Sequence, residues 1–236
     1  LVTTNVLNLV NDFAGASEVG GLFLLPELRR SGLGQLLARS RYLFMALHRK
    51  RFSDQVLTEL RGYQEPEGVS PFWEGLTKRF FNLEFAEADR FHALNGNQFI
   101  ADLMPKYPIY TILLSPEAQN AIGRPHAQGA AAMKLLQAEG FRHDGYVDLF
   151  DAGPTLQAYV DDLRTVREAR NGTARSTDAT VPGERLLMAT GRLLDFRAWQ
   201  GQGCLEEADN SLHLAPEMMA LGRIRDGDPL LFVPAS

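Results

Sequence analysis

Between Val19 and Leu25 almost every position is apolar, and the run stops at Pro26. Apolar residues then return at Leu33, Leu36, Leu37, Leu43, Phe44 and Leu47, with the small Ser40 among them, at helical spacing. The pattern predicts a short strand, a glycine-bearing turn, and a helix from Gly32 to about Arg49. Upstream, Thr3 to Val10 alternates weakly and is β-branched enough for a strand, and Asn11 to Gly15 carries turn chemistry. A hairpin feeding the Val19 strand is therefore expected.

Val56 to Gly62 reads as a buried strand on which Glu59 and Arg61, two apart, share a face. Ser70 and Pro71 supply a cap and a first-turn proline, so a helix is predicted over 72–81 with its aromatic residues buried. From Asn82 to Ala121 helical pieces are broken by Pro105, Pro108 and Pro116. A turn at Ile122 to His126 leads to an alanine-rich helix, Ala130 to Glu139, stopped by Gly140. Strands are expected at Gly145–Phe150 and Pro154–Tyr159, joined by Asp151-Ala152-Gly153.

The polar, small stretch 171–183 reads as a linker or exposed loop. Short strands near Arg185–Ala189, Leu193–Phe196 and Pro229–Val233, a helical turn near Pro216–Leu221 and the tight turn Arg225 to Asp228 suggest a small β-barrel-like appendage. The expected organisation is an α/β (α+β) domain over 1–170, its strand, turn and helix at 18–49, then the 171–183 loop, then the appendage over 184–236.

With 236 residues, 45% of them apolar, the chain can bury a substantial core. The 24 basic residues against 29 acidic ones give a net charge of −5, with no basic footprint for nucleic acid and no polybasic membrane patch. No stretch resembles a signal peptide or a membrane span. The single Cys204 allows no internal disulfide and fits a reducing cytoplasm. No His, Cys and Asp cluster stands at metal-ligand spacing, so no metal is expected.

The chemistry concentrates in two turns. A helix opening at Gly32 offers unbonded N–H groups and a positive dipole end, and Gly32 and Gly34 allow close approach, which suits a phosphate or pyrophosphate. Arg29, beside the turn, is the favoured cationic partner. Arg30 and the His48-Arg49-Lys50-Arg51 cluster are weaker candidates, since that cluster also suits the helix C-terminus. In the second turn stands His126: a histidine side chain, with a reference pKa near ~6.5, can pass protons at neutral pH, or this one is a surface or capping histidine. Glu59 is either a rim ion-pair partner or a base acting directly or through water.

Arg29-x-x-Gly32-x-Gly34 is similar to the pyrophosphate signature of the GNAT acyltransferases. Downstream blocks narrow the likeness: Glu59-Leu60-Arg61-Gly62, Ser70-Pro71-Phe72-Trp73, Met104-Pro105-Lys106-Tyr107-Pro108, Glu139-Gly140-Phe141-Arg142 and Phe150-Asp151-Ala152-Gly153-Pro154. In that order they resemble the arginine N-succinyltransferase family over roughly Leu1 to Arg170, and more loosely beyond. The resemblance implies a GNAT-like fold with a mixed central sheet and succinyl-CoA as co-substrate without a resident cofactor. It also implies transfer of succinyl to the α-amine of L-arginine as the first step of arginine catabolism. It assigns Leu22 a main-chain contact to the acyl-CoA, its side chain being core, and His126 the role of proton donor. The family places proline after that histidine, whereas here Pro125 precedes it and Ala127 follows.

Relative to the family the chain is expected to lack about a hundred leading residues, which in this fold would supply the first strands and helices. That invites a homo-oligomer, or a hetero-oligomer with a paralogous subunit, in the cytoplasm. Two alternatives stay open on the residues alone: ornithine or another amine as acceptor, and a non-catalytic paralogue of the same fold.

Overall fold

The computed structural model describes residues 3–29, 32–81, 83–95, 102–177 and 183–235. In chain order these form β1 (Val6–Leu7), β2 (Ser17–Glu18), α1 (Leu33–Leu47), β3 (Gln55–Glu59), and a π-helical turn (Trp73–Thr77) running into α2 (Lys78–Phe81). Next come α3 (Phe85–Asn95), β4 (Ile109–Tyr110), α4 (Pro116–Ala121), α5 (Ala130–Glu139), β5 (Thr155–Tyr159) and α6 (Arg164–Glu168). The chain continues as β6 (Arg170–Ser176), β7 (Glu184–Thr190), β8 (Arg197–Glu206), β9 (Ser211–Leu214), α7 (Pro216–Gly222) and β10 (Pro229–Pro234). It divides into two compact units, Leu1–Glu18 with Leu57–Gln157, and Val19–Val56 with Ala158–Ser236.

The first unit is organised around aromatic residues. Ser70 caps its helix, Oγ accepting the Trp73 N–H at 3.3 Å, with Pro71 in the first turn as the sequence predicts. Trp73 is fully buried, stacked on Phe81 and Phe150 and meeting Phe85 edge-on. The Thr77 hydroxyl donates to the Leu149 carbonyl at 2.9 Å, tying this helix to the segment before β5. A second cluster of Phe72, Leu76, Ala121 and Ala152 lies beside it. β1 pairs antiparallel with β4. Gly140, at φ +116, ends α5 as expected.

The second unit holds a closed barrel in the order β10-β6-β9-β8-β7, antiparallel except for the parallel pair β6 and β9. Period-two alternation sends Leu186, Met188 and Phe232 to one cluster with Trp199, Leu212 and Leu214. It sends Leu187, Ala189, Leu231 and Val233 to the other face, where Leu43 of α1 packs with Leu36 and Leu47. Polar groups lock the same contact. Arg39, only 2% exposed, donates from Nε to the Thr165 hydroxyl and from a terminal nitrogen to the Pro234 carbonyl, both at 2.8 Å. The Gln35 side-chain amide donates to the Ala235 carbonyl at 3.1 Å. The barrel end of β10 thus seats the helix that begins at the glycine turn.

Several expected elements differ. Val19 to Leu25 is not a strand; β2 is confined to Ser17–Glu18, because Gly20 and Gly21, the latter at φ +63, break the extended run. The upstream strand shrinks to β1 and pairs with β4 rather than forming a hairpin with β2. Gly145 to Phe150 is irregular, since Gly145 takes φ +89 and the Asp148 carboxylate gathers the Phe150 and Asp151 amides into a turn. The expected linker opens as β6: Gly172 and Ala174 are buried, and a side chain on Gly172 would come within 2.9 Å of the Phe232 ring. Small residues that read as loop are what this barrel position needs. Residues 178–182 of that stretch lie outside the described residues.

Candidate functional site

In the second unit, Leu22, Arg29, Gly32 and Gly34 share one segment. Gly32 stands in the left-handed region at φ +83 and caps α1. Its carbonyl accepts the N–H groups of Gln35 and Leu36 at 3.1 and 3.3 Å. The Leu33 and Gly34 amides precede these first helical bonds and project at the positive dipole end. A Cβ on Gly34 would meet only Leu24, at an ordinary 3.7 Å. Arg29 folds back on the same run, its Nε donating to the Leu24 carbonyl at 3.1 Å and its guanidinium lying 5.9 Å from the Phe23 ring centre. The geometry offers amides and a cation to an anion.

Leu22 lies in the irregular stretch before Pro26 with 42% of its surface exposed, so its side chain is not the core leucine expected. The other basic candidates behave differently. Arg30 lies outside the described residues, as does Ser31. Arg49 to Arg51 form a separate turn after α1, and Arg49 is committed to ion pairs with Asp54 and Asp161 at 2.6 and 2.7 Å. Those bonds raise the Arg49 pKa above its usual range and lower that of Asp161.

In the first unit, His126 is half-buried at the head of a short turn, Ala127–Gly129. Its ring Nδ1 accepts the Gln128 N–H at 3.2 Å, and its carbonyl accepts the Gly129 N–H at 2.8 Å. Its own N–H donates to the Arg61 carbonyl at 2.8 Å, and the Tyr63 N–H donates to the Arg124 carbonyl at 2.9 Å. The loop therefore runs beside the chain that leaves β3, bridged at Gly62 and Pro125. Arg124 lies over the Tyr63 ring, 3.8 Å from its centre.

Glu59, at the end of β3, is exposed and acts electrostatically on Asp148. Arg61 donates to the Gln64 side chain. The carboxyl of Asp148 is enclosed although part of the residue reaches solvent, and its pKa rises from 3.8 to about 7. Burial is the main cause, followed by the charge of Asp151 and, less, that of Glu59. Asp151 itself is buried and binds the Gly62 and Gly153 amides. Sequence reading passed over Asp148, Asp151 and Arg39. The signal available for the first two was the acidic pair set around Leu-Phe ahead of Ala-Gly-Pro. Among the described residues no group of His, Cys, Asp and Glu is placed to hold a metal, and no helix is long and apolar enough to cross a membrane.

Comparison with known proteins gives these features a context. A solved structure described as arginine/ornithine succinyltransferase subunit AI from Pseudomonas aeruginosa superposes with a TM-score of 0.86 at 31% identity, covering 99% of this chain and 67% of that one. The fold is thus a mixed α/β, GNAT-like one with flanking helices and a C-terminal β-barrel. Two family models match: the arginine N-succinyltransferase beta subunit over residues 1–165, and its C-terminal domain over 170–234. The chain belongs to the arginine N-succinyltransferase family.

An arginine N-succinyltransferase of Enterobacter sp. (strain 638) is 47% identical over 194 residues, 81% of this chain and 56% of the relative. One from Escherichia coli O17:K52:H18 is 49% identical over 164 residues, 70% of this chain and 48% of the relative. The chain spans about half the length of the curated relatives it matches. The expectation of a likeness that lacks a leading hundred residues and fades after Arg170 is corrected. The family match begins at residue 1 and, through the barrel, reaches residue 234.

Proposed function

We propose that the chain works as an acyltransferase that moves succinyl from succinyl-CoA to the α-amine of L-arginine, giving N2-succinylarginine and free coenzyme A. Family membership along both matched segments carries this reading. The Gly32 and Gly34 amides, with Arg29, receive the pyrophosphate of the coenzyme, and the Leu22 main-chain N–H meets the thioester oxygen as it becomes an oxyanion. The neutral amine attacks the carbonyl carbon, forming the C–N bond as the π electrons move to oxygen. Collapse of the intermediate breaks the C–S bond. The proton shed by the attacking nitrogen charges the His126 ring, and the imidazolium then passes its Nε2 proton to the departing sulfur.

Succinyl-CoA is a co-substrate in this scheme, and no resident cofactor takes part. The reading places the protein in the cytoplasm at the entry to arginine breakdown. A family described as a beta subunit and a structural neighbour described as subunit AI support a hetero-oligomer with a paralogous subunit over a homo-oligomer. The neighbour's description as an arginine/ornithine enzyme favours ornithine as a second acceptor. Thiol release from succinyl-CoA by the purified protein, with and without L-arginine, tests the proposal. Arginine-dependent release is expected, and its absence in folded protein would overturn the assignment.

A further inference from the structure

We infer that Asp151 is a positioning residue for His126, its carboxylate fixing the chain from which the histidine loop hangs. The inference rests on the reading above, in which His126 is the reactive group. Asp151 is 6% exposed, yet its charge is well engaged: Oδ2 accepts the Gly62 N–H at 2.7 Å and Oδ1 accepts the Gly153 N–H at 2.8 Å. Bonds of this charge-assisted kind are roughly twice as strong as neutral ones. The packing around them leaves no slack. A Cβ on Gly62 would fall 2.2 Å from the Asp151 carbonyl oxygen, and one on Gly153 would fall 2.0 Å from that of Leu60.

Gly62 stands between the two residues that hold the histidine loop. On one side the Arg61 carbonyl accepts the His126 N–H at 2.8 Å; on the other the Tyr63 N–H reaches the Arg124 carbonyl at 2.9 Å. The loop is held a third time next to Asp151, where the Gly123 N–H donates to the Ala152 carbonyl at 2.9 Å. Both segments that carry the loop are therefore joined through one carboxylate. Asp148 steadies that carboxylate's own backbone, its Oδ1 accepting the Phe150 and Asp151 N–H groups at 2.8 and 3.0 Å. Loss of the Asp151 charge would leave a buried amide without its acceptor and let 61–63 shift, carrying His126 with it. A shift of about 1 Å in a reacting group can cost on the order of 10²-fold in rate.

The test is Asp151→Asn, which keeps the shape but sets an NH2 against one of the two amides. Long-range proton–nitrogen NMR reads the His126 ring, and steady-state kinetics read kcat and KM for succinyl transfer. The parent should show one ring tautomer with the proton on Nε2. The variant should show mixed tautomers, a kcat lower by about 10- to 100-fold, and a KM for succinyl-CoA within about threefold. A folded variant with parental ring signals and parental kcat overturns the inference. Should the variant not fold, amide exchange in the parent decides: Gly62, Gly153 and His126 must exchange together and slowly, and fast exchange at Gly62 overturns the clamp. The ring signal separates the two claims, because a parent without succinyl transfer but with an Asp151-dependent ring keeps the positioning role while sinking the activity.

Discussion

The Gln128 N–H points at Nδ1 of His126 from 3.2 Å. A nitrogen that accepts an amide proton cannot also carry one, so the neutral ring bears its proton on Nε2. The side of the ring away from the turn is therefore the hydrogen-bond donor, and delivery of a proton to a leaving sulfur proceeds from the imidazolium, whose Nδ1–H gives up the Gln128 contact. The arrangement arises locally, from a histidine that caps the turn Ala127–Gly129.

The glycine turn separates fold from binding. Gly34→Val places a branched side chain where the nearest protein atom leaves ordinary room, so the variant should keep its melting temperature. The same side chain would crowd the Leu33 and Gly34 amides, and the affinity for coenzyme A should fall at least tenfold, about 1.4 kcal/mol. Gly32→Ala should act on the fold instead, costing about 1–2 kcal/mol for a side chain forced into the left-handed region. Calorimetric titration of folded Gly34→Val with unchanged coenzyme A affinity would remove the phosphate site from this turn.

Asp148 makes stability depend on pH. Its pKa in the folded protein, about 7, lies above the 3.8 of an unperturbed aspartate, so the fold binds this proton more tightly than the unfolded chain does. The stabilisation is fully present below the unfolded value and is lost as pH rises through about 7. Asp148→Asn keeps an oxygen for the Phe150 and Asp151 amides but removes the titration. Thermal unfolding at pH 5 and pH 8 should show the parent losing more stability than the variant, with the variant the more stable at pH 8. Parallel curves would contradict the assignment.

How much of this was legible depended on how local each signal was. Caps and turns were: Ser70 with Pro71, Gly140 after α5, and Gly32 before α1 each act through their own backbone and stand where the pattern put them. Pairing was not. The apolar run Val19 to Leu25 looks like a strand, but a strand needs a partner edge, and the Gly20-Gly21 break denies it one beyond Glu18. The barrel's closure depends on Gly172 and Ala174 fitting against distant residues such as Phe232, which no window of sequence displays. The β-barrel itself was legible as a C-terminal appendage, but not the contacts by which Arg39 and Gln35 fasten α1 to the end of β10. Asp151 was hidden for the same reason, its partner Gly62 lying 89 residues away along the chain.

The acceptor can be tested by charge. Arginine carries a guanidinium that acidic groups would pair, and norleucine has similar reach without it. The value of kcat/KM for arginine should exceed that for norleucine by well over tenfold. Equal values would leave only a general amine acyltransferase.

The most direct test of the account is the turnover of succinyl-CoA and arginine by His126→Ala. If Nε2 protonates the sulfur, the interaction matters chiefly in the transition state, so kcat should fall by roughly 10²–10⁴-fold while the affinity for succinyl-CoA stays near its parental value. A thioester whose thiol has a lower pKa should recover part of the loss. Turnover within a few-fold of the parent in well-folded His126→Ala protein would contradict the account.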